Sequence, residues 1–184
     1  GPCSHVLLAT GGTPRTLPIP NMRTLRRVWQ LRVPADANAI HAAVDTCGAN
    51  GGAARVAIVG SSFIGMECAA ALAKRAAVVH VIGMEAVPFE RVLGARVGAC
   101  MQRLHERAAG DGKVRFHMNR TVRRFDGATG ADDDTSDVTS VTLDDGTVLQ
   151  CDMCVIGAGV VPETAYVNRP LDGDGDGDGG SDGD

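Results

Sequence analysis

Three short apolar runs, each leading into a glycine turn, set the rhythm of this 184-residue chain: "VLLA" at 6–9, "VAIV" at 56–59 and "MCVI" at 153–156. Runs of this length bounded by glycine mark strands buried on both faces. "AVVHVI" at 77–82 reads the same way. Helical spacing fills the gaps. Ala37, Ile40, Val44 and Cys47 fall on one face of a helix beginning at Asp36, a good N-cap. An alanine-rich helix is predicted over 63–75. A third, over 91–109, carries Leu93, Val97, Met101, Leu104 and Ala108 as an apolar stripe. "KVRFHM" and "TVRRFD" read as short strands, and 127–137 as a polar loop. The segment 138–159 gives a strand, an Asp-Gly turn and a longer strand. Residues 13–21, with three prolines, read as irregular surface chain.

Strand, glycine turn, helix, strand, helix, strand is the order of a βαβ unit. The expected fold is α/β: a Rossmann-like parallel sheet with flanking helices and a small antiparallel β-meander insertion.

Composition changes this picture little. A hydrophobic content of 44% suits a globular protein, and no apolar run reaches the 18 residues a membrane span needs. No signal peptide is legible at residue 1, and the chain reads as intracellular and cytoplasmic. The six aspartates of residues 172–184 more than account for the net charge of −4, leaving the body at +2. A nearly neutral body carries no electrostatic footprint for nucleic acid. Residues 172–184 otherwise read as a disordered Asp/Gly-rich tail. Asp172, Asp174, Asp176 and Gly177 imitate a calcium loop, but Gly183 stands where its glutamate belongs.

The chemistry concentrates in "VGSSFIGME", residues 59–67. Gly60 and Gly65 have P-loop spacing, but Met66 and Glu67 replace the required Lys and Ser/Thr. A nucleophile elbow would put Ser62 at its apex, and Ile64 is too large for that strained turn. The remaining reading is a dinucleotide turn. Gly60 permits the bend, and Gly65 permits close packing of helix on strand. Ser62, in place of the usual second glycine, offers a hydroxyl to phosphate beside the helix N-terminus. Such a turn can also be purely structural.

Three separated motifs, "VLLATGGTPR" at 6–15, "RVAIVGSSFIGMECAAALA" at 55–73 and "LDDGTVLQCDMCVIGAGVVPET" at 143–164, together resemble the FAD-dependent pyridine nucleotide-disulfide oxidoreductases. Within that family the sequence is most similar to the ferredoxin-reductase and apoptosis-inducing-factor-like branch, over residues 5 to 166. The resemblance implies a nicotinamide-binding domain inserted into an FAD domain, where NAD(P)H passes a hydride to the flavin and thence to an acceptor. It implies a crossover segment over 1–34, an NAD(P)H-binding domain over 35–166 and a tail over 167–184. It places the dinucleotide on Gly60, Ser61, Ser62, Phe63, Ile64, Gly65, Glu67, Glu85 and Gly159. Phe63 takes the position of an aromatic gate over the nicotinamide, and Glu67 that of a glutamate near it. No residue is assigned as catalytic or as a metal ligand.

NADH users of the family carry an acid at the end of the second strand. Gly83 stands there, and Glu85 lies two residues on. Segment 83–89 has no base for a 2′-phosphate, so NADH is the expected cofactor and NADPH the second candidate. Arg91 matches a family arginine. A ferredoxin-like or Rieske-type protein is the expected acceptor of a full-length parent. The FAD glycine motif and the Gly-Asp signature are not in this sequence, so the chain reads as a fragment, inactive alone. The alternative is a catalytically incomplete dinucleotide-binding or interaction module. A mitochondrial location would require a segment ahead of residue 1.

Six cysteines suggest reduced thiols. Cys151 and Cys154 form C-x-x-C, but on a strand positions three apart face opposite ways, which argues against a redox pair. The five histidines read as isolated, structural residues.

Overall fold

The computed structural model describes residues 3–48, 51–110, 112–128 and 136–167. The Asp/Gly segment 172–184, with its calcium-loop imitation, lies outside the described residues.

Five parallel strands form the central sheet: β2 (Val28–Gln30), β3 (Arg55–Val59), β4 (Val78–Gly83), β5 (Val114–Met118) and β9 (Met153–Ile156), in the order β2-β9-β3-β4-β5. Helix α1 (Pro34–Ala43) leads into β3, α2 (Phe63–Leu72) joins β3 to β4, and α3 (Glu90–Ala108) joins β4 to β5. Between β5 and β9 an antiparallel meander is inserted: β6 (Val122–Gly127), β7 (Val138–Leu143) and β8 (Val148–Gln150). The two short strands β1 (Gly12–Pro14) and β10 (Val160–Pro162) pair antiparallel with each other. This is the expected α/β architecture.

Period-two alternation sorts the core into two layers. Val56, Ile58, Val79, Val81, Met153 and Val155 face α1 and α2, meeting Ile40, Val44, Met66, Ala69 and Leu72. Ala57, Val59, Ile82, Cys154 and Ile156 face the meander, meeting Phe125, Val141, Leu143 and Leu149. The parallel sheet is therefore covered on both sides, as its continuous apolar strands require.

Several expectations are corrected. Residues 6–8 form no strand, and Val6, Leu7 and Leu8 are 74%, 89% and 56% exposed. Among the described residues no neighbouring strand is offered to them, and only 12–14 are paired. Asp36 is not the N-cap of α1. Val33 is, and the Asp36 carboxylate reaches back to accept the N–H groups of Arg32 and Val33 at 2.9 and 3.0 Å. These bonds hold its pKa below the usual aspartate value. The sheet also gains β2, ahead of the boundary expected at residue 34.

The long strand expected before Gly157 is two strands in two sheets. Asp152 marks the break: its Oδ2 accepts the Arg55 backbone N–H at 2.7 Å, and its Oδ1 accepts the Arg55 guanidinium at 2.7 Å. Helix α3 is interrupted at Gly94, whose φ of +77° is not helical. Its expected apolar stripe faces outward, with Leu93, Val97 and Leu104 exposed and Met101 half-buried. Gly98 is the buried residue of the helix instead, set against Val87 and Pro88 so closely that a Cβ there would overlap the Pro88 carbonyl oxygen.

Candidate dinucleotide-binding site

The turn after β3 is anchored on both sides. The Gly60 N–H donates to the Ile82 carbonyl at 2.9 Å, and the Gly157 N–H donates to that of Val59 at 2.7 Å. Gly60 has φ +113°, a conformation L side chains rarely adopt. A Cβ on it would lie 2.7 Å from the Gly157 carbonyl carbon, and a Cβ on Gly157 would lie 2.9 Å from the Gly65 nitrogen. A Cβ on Gly65 would overlap the Gly60 carbonyl oxygen. Three glycines thus let the first turn of α2, the end of β3 and the end of β9 approach backbone to backbone. Gly157 was not among the expected site residues. Its signal was its place as the first glycine of "GAG" after an apolar run.

Ser62 occupies the N-cap position of α2. Its side chain caps no helix N–H and makes no hydrogen bond among the described residues, and it is exposed. The first-turn N–H groups of a helix have no intrahelical acceptor and carry the positive end of its dipole. A free hydroxyl and free N–H groups therefore converge beside Gly60. Among the described residues no imidazole or carboxylate bonds Ser62, so none of them is placed to activate it as a nucleophile.

Ser61 is buried, and its hydroxyl donates a long hydrogen bond to Glu85 Oε2 at 3.4 Å. A Cβ on Gly83 would overlap the Ser61 Oγ and lie 2.7 Å from Met118 Cε. A serine of the turn thus fills the space at the end of β4, and the carboxylate it bonds is that of Glu85. The Phe89 N–H donates to the Ser61 carbonyl at 2.9 Å, fixing the entry of α3 to the same turn.

These elements wall a cavity of about 670 Å³ at the carboxyl ends of the parallel strands, the place where open α/β sheets bind ligands. Gly60, Ser61, Ser62, Glu85 and Gly159 line it, together with Phe89, Arg15, Arg91 and Arg120. Arg120 is paired with Asp145 at 2.6 Å, whereas no ion pair involves Arg91 among the described residues. Phe63, Ile64, Gly65 and Glu67 do not line the cavity. Phe63 is 48% exposed and packs edge-on against Phe89, with ring centroids 5.2 Å apart. Ile64 packs on the helical side of the core, Gly65 lies under Gly60, and Glu67 is exposed on α2.

The cysteine motif lies elsewhere than expected. Cys151 precedes β9, so it and Cys154 share the meander-side core rather than opposite faces. Burial pushes the Cys151 thiol up to about 12 and that of Cys154 well up, so both stay protonated. The histidines are not all isolated: His80 Nδ1 lies 2.9 Å from His117 Nε2, and Nδ1 of His105 lies 2.9 Å from the Met101 carbonyl oxygen. His41 contacts the Arg75 guanidinium. No cluster of three or more metal-ligating side chains occurs among the described residues, and no helix there is long and apolar enough to cross a membrane.

The profile of the pyridine nucleotide-disulphide oxidoreductases matches residues 2–175. Human apoptosis-inducing factor 3 is 34% identical over 166 residues, which cover 90% of this chain and 24% of that protein. Among solved structures, the putidaredoxin reductase–putidaredoxin complex matches with 32% identity and a TM-score of 0.69, covering 85% of this chain and 34% of that one. A ferredoxin reductase from Rhodopseudomonas palustris matches with 26% identity and a TM-score of 0.73, covering 86% and 35%. The chain therefore spans about a quarter to a third of the length of these relatives.

Proposed function

The chain belongs to the pyridine nucleotide-disulphide oxidoreductase family, and from that premise we propose that residues 35–166 are its nicotinamide-dinucleotide-binding unit. The observation that carries the proposal is the three-glycine crossing of Gly60, Gly65 and Gly157, which brings bare backbone and the free Ser62 hydroxyl to the mouth of the cavity. That cradle fits a pyrophosphate: the N–H groups opening α2 and the Ser62 hydroxyl donate to its oxygens. Glu85 is the acceptor for the adenosine ribose hydroxyls, which favours NADH. Phe89, with Phe63 against its edge, is the aromatic wall of the same cavity.

Bound dinucleotide supplies a hydride, and the residues of this chain bind and orient it. In a longer parent the hydride acceptor is FAD, held by chain flanking this unit, with 1–34 as the crossover, whose strand β2 completes the edge of this unit's sheet. The acceptor of electrons beyond the flavin is an iron–sulfur protein of the ferredoxin or Rieske type. The complex of putidaredoxin reductase with putidaredoxin supports the ferredoxin type.

Calorimetric titration of the purified chain with NADH and, separately, NADPH tests the proposal. Saturable NADH binding at micromolar to sub-millimolar concentration is expected. Absence of binding by either dinucleotide overturns the proposal. A second reading rests on the chain's spanning 24% to 35% of its relatives: a module that binds dinucleotide without turnover. A longer parent that binds NADH yet shows no flavin absorbance would establish it.

A further inference from the structure

The apolar surface of α3 continues into a groove of about 310 Å³ between α2 and α3, lined by Ala70, Ala73, Lys74, Leu104, His105 and Ala108. Leu104, 55% exposed, lines the groove, and Val97, two turns earlier on the same stripe, is 45% exposed beyond it; the helix is regular past Gly94. One flank of this surface is cationic. Arg96, Arg103 and Arg107 stand at i, i+7 and i+11, which puts them in a row along one edge of the exposed stripe. All three are exposed, and none has an ion-pair partner among the described residues. Lys74 adds a fourth cation at the rim of the groove. The nearest acid on the helix, Glu106, is held by Gln102 at 3.1 Å.

We propose that this groove docks an acidic amphipathic helix of a partner protein: apolar residues at i, i+3 and i+4 fill the alanine-lined floor, and carboxylates pair with the arginine row. The position separates this surface from the dinucleotide site. Val114, also at the groove, opens β5, so the groove lies at the amino ends of the parallel strands, whereas the large cavity lies at their carboxyl ends. The paired strands β1 and β10, where flanking chain enters and leaves, are also at the cavity end. A flat anionic bilayer would meet the cations of the rim but leave the alanine floor between α2 and α3 unfilled, whereas the apolar face of a helix fills it.

The probe is a fluorescein-labelled 15-residue helix of leucine and glutamate in that spacing, read by fluorescence anisotropy against the purified chain. Its counterpart has lysine for every glutamate. Expected is at least tenfold tighter binding of the glutamate helix, weakened by added salt. Leu104→Asp should lower that affinity at least tenfold. Arg103→Glu with Arg107→Glu should reverse the preference toward the lysine helix. Circular dichroism melting confirms that these surface variants fold. Equal or absent binding of the two helices, or binding indifferent to Leu104→Asp, overturns the proposal. So does sedimentation with phosphatidylserine vesicles that Leu104→Asp abolishes while neither helix binds.

Discussion

The Ser61 hydroxyl occupies the space into which a side chain at position 83 would have to grow. The two residues lie on successive pieces of the βαβ unit, and each explains the other. Ser61 is buried with its hydroxyl toward Glu85, and a side chain at the end of β4 would crowd both it and Met118. Gly83→Asp, which puts an acid at the end of β4, should therefore destabilise the fold by about 1–3 kcal/mol through overpacking. Ser61→Gly in the same chain should recover part of that loss, since contacting sites couple by about 0.5–3 kcal/mol. Urea unfolding of the two single variants and the double variant measures the coupling. Strict additivity would refute the steric account.

Glu85 and Arg91 line the same cavity with opposite preferences. If Glu85 holds the ribose hydroxyls, Glu85→Gln should weaken NADH binding about three- to tenfold. Arg91→Gln should leave NADH unchanged and remove whatever NADPH affinity exists. Paired calorimetric titrations read both effects. Loss of NADH binding in the Arg91 variant with none in the Glu85 variant would move the adenosine end of the cofactor toward α3.

Tight backbone crossings resist even the smallest side chain. Gly65→Ala adds a Cβ that would overlap the Gly60 carbonyl oxygen and lie 2.9 Å from its carbon, both part of the backbone rather than a movable side chain. It should cost about 1–3 kcal/mol of stability and abolish measurable NADH binding. Gly159→Ala meets no atom within 4 Å, so its cost is the backbone strain of a φ of +87°, about 1–2 kcal/mol. Thermal unfolding of the two variants separates steric crowding from backbone strain.

Much of this was legible from local pattern, and what was not depended on partners distant in sequence. The run 56–59, Gly60 and the helix after it could be read because apolar residues, glycine and alanine each specify the same local structure. The "VLLA" run reads identically yet stands exposed, because burial needs a facing surface that four residues cannot encode. In α3 the 3.6-residue period revealed a stripe correctly but not its direction. Gly98, invisible to a hydrophobicity count, turned the helix by allowing contact with Pro88. The Ser61–Gly83 exchange and the His80–His117 pair arise from side-by-side packing of the β3 turn, β4 and β5. Sequence spacing contains neither.

Thiol reactivity should divide by burial. Cys3 and Cys100 are exposed, Cys47 is half-buried, and Cys68, Cys151 and Cys154 are buried. Brief alkylation of the native chain with iodoacetamide, followed by mass spectrometry, should label Cys3 and Cys100 and spare Cys151 and Cys154 until urea is added. Rapid native labelling of the last pair, or a disulfide between them after mild oxidation, would restore the redox reading of the C-x-x-C motif.

Acid should loosen the fold through the edge pair of the sheet before it reaches the carboxylates. Burial, the neighbouring His117 imidazole and the cations Arg115 and Arg55 lower the pKa of His80 to about 4. His117 is lowered by burial and by Arg115 and Arg120, against the opposing charge of Asp145. In the unfolded chain a histidine titrates near about 6.5. Between about 6.5 and 4 the unfolded state therefore binds protons that the folded state refuses. The stabilising preference for neutral imidazole is fully present above about pH 6.5 and is lost as pH falls toward 4. For His80, the more deeply buried of the two, the slope in that window is at most about 1.4 kcal/mol per pH unit; the half-buried His117 adds in the same direction. Asp152 acts later: burial raises its pKa, but hydrogen bonds from Arg55 and the charges of Arg55 and Arg27 outweigh burial, so its share is lost only below the usual aspartate range. Urea midpoints in the native chain should stay nearly level from pH 7.5 to 6.5 and then fall at 5.5 and again at 4.5. His80→Gln with His117→Gln removes both imidazoles and should flatten the profile over that window. A double variant with the native slope would place the acid sensitivity elsewhere.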